Sequence, residues 1–434
     1  MEPTSVGLAA GVRSRLGSLA AQGMWLLAID AVTNVADYGF HAYLGRALTP
    51  GDFAAAQSIN MTLLALGTTF GVMQPVVARH IATRDPADTA AVRRVVRYFF
   101  ERNLRLGLAL MALTWLARRP VASWLNVPTA AVTLAAASLA FAIARPTVAG
   151  ALQGQQRFVA FGLVRSSYAV GRLALCVLAI ALGGRLLSVV AVYPAAGALA
   201  LGVGLASLGR AVMQGPTDGD TRELVGSWRS AGHALLGYGG YMTMMGSDLI
   251  WANRHLPPAA AAGYAASVVL RRVLTVVPAA VVVVLFPKVV TAVERGRLPD
   301  RLLIAATAGV LVPTCLGAVL YATSGPTLLA WTFGPDYAGG ERLGWMAVAM
   351  LGLNMGAIWL NLFLATHPRP FVWLVSTLAV LQLGLLSAFH GSGAELATTF
   401  GVMGWLLGVG GLLIYVLWLR PRLRRELATR PVSA

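Results

Sequence analysis

Runs of about 20 apolar residues, separated by short polar stretches, recur along the whole chain, and each run is long enough to cross a bilayer at 1.5 Å rise per residue. Counting them predicts about twelve spans, near residues 18–44, 54–78, 103–118, 129–151, 159–182, 186–209, 231–252, 260–287, 302–322, 343–366, 370–390 and 396–418. No strand pattern or soluble domain is long enough to register. The predicted fold class is an all-α integral membrane protein, with nearly the whole chain embedded.

Polar positions inside those runs carry the candidate chemistry. Arg271 and Arg272 sit near the middle of the run Ala259–Val290. Insertion scales put an arginine at a bilayer centre at roughly +2.5 to +3.5 kcal/mol, so such a residue faces a bundle interior or a wet cavity. Tyr264, Ser267 and Thr275 share the helical face of Arg271, whereas Arg272 has Val268 and Val276 as neighbours one turn away, so Arg271 is the better cavity candidate. Its planar guanidinium suits an anionic phosphate, and neutralisation by Asp248 of the seventh span is the competing reading. In the first span Asp30, Asn34, Asp37 and His41 are spaced four, three and four apart and share one face, which cannot look at lipid. They line a polar cavity, bind a cation or proton, or pair with arginines of other spans. Arg165 and Arg172, seven apart, share a face of the fifth span, and Arg145 lies in the second half of the fourth. Arg145 and Arg165 alternatively snorkel to the headgroups near the polar turn 153–157, which leaves Arg172 as the deeper cavity residue. Asn354 and Asn361 repeat the seven-residue spacing on the tenth span and serve sugar hydroxyls or, more simply, a facing helix.

Composition agrees with the membrane reading: 57% of the 434 residues are hydrophobic and 12% charged, with a mean hydropathy of +0.70, too little polar surface for a soluble protein of this length. The formal net charge of +17 does not indicate nucleic acid, because the basic residues gather in alternate loops, 79–105, 210–229, 288–301 and 420–430, as cytoplasmic loops do. Both termini are therefore expected inside. Arg13 and Arg15 precede an apolar segment that contains acids and lacks a clear cleavage site, so an uncleaved first span is expected. Cys176 and Cys315 have no partner nearby in sequence, and no nucleotide loop, metal-ligand cluster, cofactor motif or nucleophile with a base is visible. No cofactor and no enzymatic activity is expected.

The segment Arg46, Leu48, Pro50 after the first span recurs as Arg254, Leu256, Pro258 after the seventh with the same internal spacing. This suggests two related six-span halves. The corresponding lobes are residues 1–213 and 230–434, joined by the polar linker 214–229. The aromatic segment Trp331, Phe333, Gly334, Pro335, Tyr337 reads as a long connection on the face opposite the basic loops.

The segments LGRALTPGDFAAAQSI (44–59), ALQGQQRF (151–158) and AAGYAASVVLRRVLTVVPAAVVVVLFPKVV (261–290) resemble the multidrug/oligosaccharidyl-lipid/polysaccharide (MOP) exporter superfamily, and within it the Wzx-type flippases of bacterial polysaccharide synthesis. The resemblance implies two six-helix lobes around a central cavity open alternately to either side. It also implies a bacterial cytoplasmic-membrane location, an isoprenoid-pyrophosphate-linked oligosaccharide as substrate, and glycosyltransferases and a polysaccharide polymerase as partners. Cavity arginines as phosphate partners agree with it. The alternative within the same superfamily is a proton- or cation-coupled drug antiporter using Asp30 and Asp37.

Overall fold

The computed structural model describes residue 25 and residues 28–84, 88–214, 222–294, 297–338 and 343–428. The N-terminal residues that include Arg13 and Arg15, and most of the expected linker at 214–229, lie outside them. Among the described residues every regular element is helical. These are α1 (residues 28–47), α2 (Pro50–Gly71), α3 (Met73–Ala82), α4 (Thr89–Leu116), α5 (Arg118–Leu125), α6 (Thr129–Gly154), α7 (Phe158–Ala181), α8 (Leu186–Leu208), α9 (Arg210–Met213), α10 (Arg222–His255), α11 (Pro258–Val273), α12 (Val276–Glu294), α13 (Asp300–Phe333), α14 (Leu343–Ala365), α15 (Pro368–Ala388), α16 (Gly393–Ile414) and α17 (Arg420–Ala428). Nine helical stretches among the described residues are long and apolar enough to cross a membrane, with α2 and α3 counted as one. Adding α1, α4 and α10, which are long but more polar, completes the twelve expected spans.

Two of these spans are broken, each ahead of a proline. Proline has no N–H and its ring displaces the carbonyl four residues before it. Pro75 and Pro278 thus deny a partner to the carbonyls of Gly71 and Leu274, where α2 ends and the α11–α12 break falls. The continuous eighth span expected over 260–287 is therefore two helices, and Arg271 and Arg272 stand in the last turn of α11. The ninth span also differs. Helix α13 continues to Phe333, so Trp331 and Phe333 belong to its last turn and only Pro335–Tyr337 forms a short 3₁₀ turn.

The chain forms two compact units, made of the described parts of Met1–His41, Met73–Leu116 and Thr133–Ser227 in the first and of Ala42–Val72, Ala117–Val132 and Trp228–Ala434 in the second. In the first unit Gly150 and Gly154 let α6 lie against α3. A Cβ on them would stand 2.4 Å from the Gln74 carbonyl oxygen and 2.6 Å from that of Ala78. Small residues four apart are how helices in lipid approach closely, since apolar burial offers them no drive there. Gln74 donates to Gln153 at 2.9 Å across the same packing, and Asn103 of α4 donates to Thr147 Oγ1 of α6 at 2.9 Å. The second unit uses the same device between α14 and α16. A Cβ at Gly352 would lie 2.5 Å from the Gly404 carbonyl carbon, and one at Gly408 2.7 Å from the Gly352 oxygen. Trp359 Nε1 donates to the Gly408 carbonyl at 2.8 Å.

Candidate functional site

In the first unit the seven-residue spacing of Asp30 and Asp37 on α1 matches that of Arg165 and Arg172 on α7, so two rungs form. Arg165 Nη1 lies 2.9 Å from Asp30 Oδ1, with both side chains partly exposed. Arg172, buried, donates to the half-exposed Asp37. The Arg172 guanidinium carbon also lies 4.0 Å from the ring centre of Phe40, 5.5 Å from that of Tyr168 and 5.9 Å from that of Tyr193. This aromatic enclosure favours a desolvated cation. Of the two remaining residues on the α1 face, His41 is buried with its ring edge-on to Phe40 at 5.2 Å, whereas Asn34 is exposed.

A third arginine completes this cluster, and of the two readings of Arg145, interior or headgroup, the structure shows it beside Arg172. Arg145 of α6 stacks over Tyr168 at 4.4 Å, on the ring that also faces Arg172. No carboxylate pairs with Arg145 among the described residues. Among the described residues the cluster therefore sets three guanidiniums against two carboxylates, and the positive charge left unmatched there is on Arg145.

In the second unit Arg271 and Asp248 are both fully buried. Arg271 Nη1 donates to Asp248 Oδ2 at 2.5 Å and Nη2 to Oδ1 at 2.8 Å, and Nη2 also donates to the Met245 carbonyl at 2.9 Å. Tyr264 Oη donates to the same carboxylate at 2.6 Å, and the guanidinium carbon lies 3.7 Å from the ring centre of Phe400. Of the two readings of Arg271, this geometry is that of neutralisation by Asp248: a forked pair with its charge compensated and three of its four Nη donors used. Arg272 is half-buried, and its carbonyl accepts from Thr275 Oγ1 at 2.7 Å.

The asparagines of α14 serve helix packing. Asn354 Nδ2 donates to the Leu274 carbonyl at 3.1 Å, the acceptor that Pro278 leaves open, and to Thr314 Oγ1 at 3.2 Å. Tyr321 Oη donates to the Leu270 carbonyl at 2.9 Å on the other side of the break. Asn361 accepts from Tyr238 Oη at 3.1 Å and donates to the Ala357 carbonyl at 2.9 Å. Gln382, which the sequence did not single out, donates to the Met244 carbonyl and to Ser247 Oγ, both at 2.9 Å. Among the described residues no three His, Cys, Asp or Glu side chains converge as a metal site would require.

No protein-family model and no curated protein sequence matches the chain. Solved structures do. A multidrug resistance MATE family transporter of the MOP superfamily in its inward-facing conformation superposes with a TM-score of 0.71 at 14% identity, covering 95% of this chain and 99% of that one. The chain has the MOP transporter fold. An outward-facing conformation of a multidrug resistance MATE family transporter of the MOP superfamily gives a TM-score of 0.66 at 15% identity, with 95% and 96% covered. The lipid II flippase MurJ in an inward closed conformation gives 0.69 at 11%, with 93% and 91% covered. This fold is thus shared by multidrug transporters and a lipid flippase.

Proposed function

We propose that the chain is a MOP-superfamily flippase of the bacterial cytoplasmic membrane, with both termini cytoplasmic, that moves an isoprenoid-pyrophosphate-linked oligosaccharide across the bilayer by alternating access of two six-helix lobes, residues 1–213 and 230–434. The observation that carries this reading is Arg145, an arginine of a membrane-spanning helix, stacked on Tyr168, with no carboxylate partner among the described residues. An uncompensated guanidinium inside a bilayer selects an anion, and a pyrophosphate offers the acceptor oxygens that a planar fork recognises. Arg172 and Arg165 add positive charge beside it, each already balanced by an aspartate. Arg271 is assigned no headgroup contact, because its charge is compensated by Asp248.

The drug-antiporter alternative needs Asp30 or Asp37 as a cation site. Both face an arginine, and like charge nearby disfavours a cationic substrate in a low-dielectric pocket. Outward movement of net anionic charge gains roughly 2.3 kcal/mol per charge per 100 mV from a potential negative inside. The glycosyltransferases that load the carrier and the polymerase that receives it are the partners this activity requires. The test is chromatography and mass spectrometry of lipid extracts from a strain lacking the protein. Isoprenoid-pyrophosphate glycans should accumulate, disappear on complementation with the wild type, and persist with an Arg145→Ala variant expressed at normal level. Retention of cationic dyes without such lipids would replace this reading by the antiporter.

A further inference from the structure

The repeated segment Arg46, Leu48, Pro50 and Arg254, Leu256, Pro258 has a second regularity, in what its arginines hold. Both prolines open a helix at its first turn, α2 and α11. Arg46 Nε donates to the Thr332 carbonyl at 3.0 Å, and its Nη2 donates to the Trp331 carbonyl. Arg254 Nη1 donates to the Ser123 carbonyl at 2.9 Å and to that of Trp124 at 3.1 Å. All four acceptors lie in the last turn of a helix, α13 or α5. The last four carbonyls of a helix have no partner within it and carry the negative end of its dipole, so a guanidinium is a favourable cap there.

The register is the same on both sides. The two arginines are 208 residues apart, 254 less 46, and so are the acceptors, 331 less 123 and 332 less 124. At that same offset Asn126 and Gly334 both end their helices with positive φ, 53° and 120°. Arg46 of the first half thus caps a helix of the second half, and Arg254 of the second half caps the equivalent helix of the first.

Each cap is backed by packing. Gly45 lies so close to Phe333 that a Cβ there would stand 2.5 Å from its ring, and Phe333 meets Phe53 at 5.7 Å between ring centres. Beside Arg254, Trp124 meets Trp251 edge-on at 5.6 Å. Asn126 Nδ2 donates to the Asn253 carbonyl at 2.8 Å, while Asn253 Nδ2 donates to that of Leu125 at 2.7 Å.

We propose that Arg46 and Arg254 are reciprocal latches that hold shut the face opposite the basic loops, and that both must release when that face opens. The inference rests on the alternating-access reading above. Its chemistry is specific: the latch is a guanidinium on two consecutive helix-end carbonyls, through Nε and Nη2 in Arg46 and through Nη1 alone in Arg254, made twice by one repeated sequence element.

Spin labels at positions 47 and 336 span one latch, and labels at 130 and 259 span the other, in the full-length protein with Cys176 and Cys315 replaced by alanine. Double electron–electron resonance in nanodiscs reads each distance and the ratio of long to short populations without any substrate. The wild type should give mainly the short distance. Arg46→Gln and Arg254→Gln should each raise the long-to-short ratio about tenfold, a figure discounted for the exposure of both side chains, and because the latches share no residue the double variant should approach the product of the two. Arg46→Lys and Arg254→Lys keep the charge without the planar guanidinium and should raise the ratio about threefold. They carry the test if a glutamine variant does not purify as a monodisperse protein. A ratio within the wild-type error in the double glutamine variant, or in both lysine variants, overturns the latch. A shifted ratio in a protein whose absence accumulates no isoprenoid lipid keeps the latch and removes the proposed substrate.

Discussion

Asp248→Ala should destabilise the protein by about 3–5 kcal/mol, because it strands a buried arginine rather than removing a binding contact. Arg271 makes three hydrogen bonds, two of them to Asp248, and neither side chain reaches solvent. The insertion cost of an unpaired arginine at mid-membrane, about 2.5–3.5 kcal/mol, independently gives the same size. Replacing the whole pair by apolar groups of similar volume is commonly neutral or stabilising. Asp248→Leu with Arg271→Met should therefore recover most of the loss. One defect remains in that double variant, since Tyr264 Oη loses its acceptor inside the bundle, at a cost of about 1–3 kcal/mol. Adding Tyr264→Phe should remove it. Unfolding of the detergent-solubilised protein followed by tryptophan fluorescence gives the ladder: the single variant lowest, the double above it, the triple close to wild type. A single variant as stable as wild type, or a triple variant no better than the single, would refute the reasoning and mean that Arg271 is neutralised by something other than Asp248.

Three further outcomes follow from the packing. Asn354→Leu leaves the Leu274 carbonyl without its Nδ2 donor at the α11–α12 break and should cost about 1–3 kcal/mol in the same unfolding measurement, and Asn361→Leu, which takes the acceptor from Tyr238 Oη, should be largely rescued by adding Tyr238→Phe. Gly352→Val places a side chain where α16 backbone lies 2.5 Å away, so size-exclusion chromatography should show aggregate in place of the monodisperse peak, while Gly384→Ala, with open space around it, should elute as wild type. The rings of His255 and His390 lie 3.9 Å apart, and partial burial, His390 and Arg254 together hold the His255 imidazole below its ordinary value. A lowered folded value means that stability from this group is complete above the ordinary imidazole range and is lost as pH falls through the lowered one. Heat stability should therefore fall between pH 7 and pH 5 by more in the wild type than in His255→Gln.

The helical class and nine of the spans were legible because length and apolarity decide what crosses a bilayer, whereas α1, α4 and α10 are long but more polar. The α1 and α7 faces were legible too, since Asp30 and Asp37 have the same seven-residue period as Arg165 and Arg172, and equal periods bring all four side chains into register. The fate of Arg271 was not readable from its own span. Tyr264, Ser267 and Thr275 mark its face but do not say what stands opposite, and the counter-ion comes from α10. Arg145 stayed open between interior and headgroup for a related reason: a net charge within a cluster is a sum over three helices, which no single helical period contains. The break after Val273 looked like continuous helix because Pro278 is indistinguishable in sequence from Pro146, Pro194, Pro313 and Pro326, which sit inside unbroken helices. Trp331 and Phe333 resembled an interfacial loop by their aromatic character, yet they close the last turn of α13. Residues 42–72 and 117–132 belong to the same compact unit as residues 228–434, an association between distant parts of the chain that no local pattern carries.

Native mass spectrometry of the purified protein, mixed with equal amounts of an isoprenyl pyrophosphate and the matching neutral isoprenol, tests the central claim most directly. An uncompensated arginine predicts retention of the pyrophosphate over the alcohol by at least about tenfold, equivalent to about 1.4 kcal/mol, and loss of most of that preference in Arg145→Ala. Equal retention of the two lipids, or a preference that survives in Arg145→Ala, would contradict the assignment of the headgroup to Arg145.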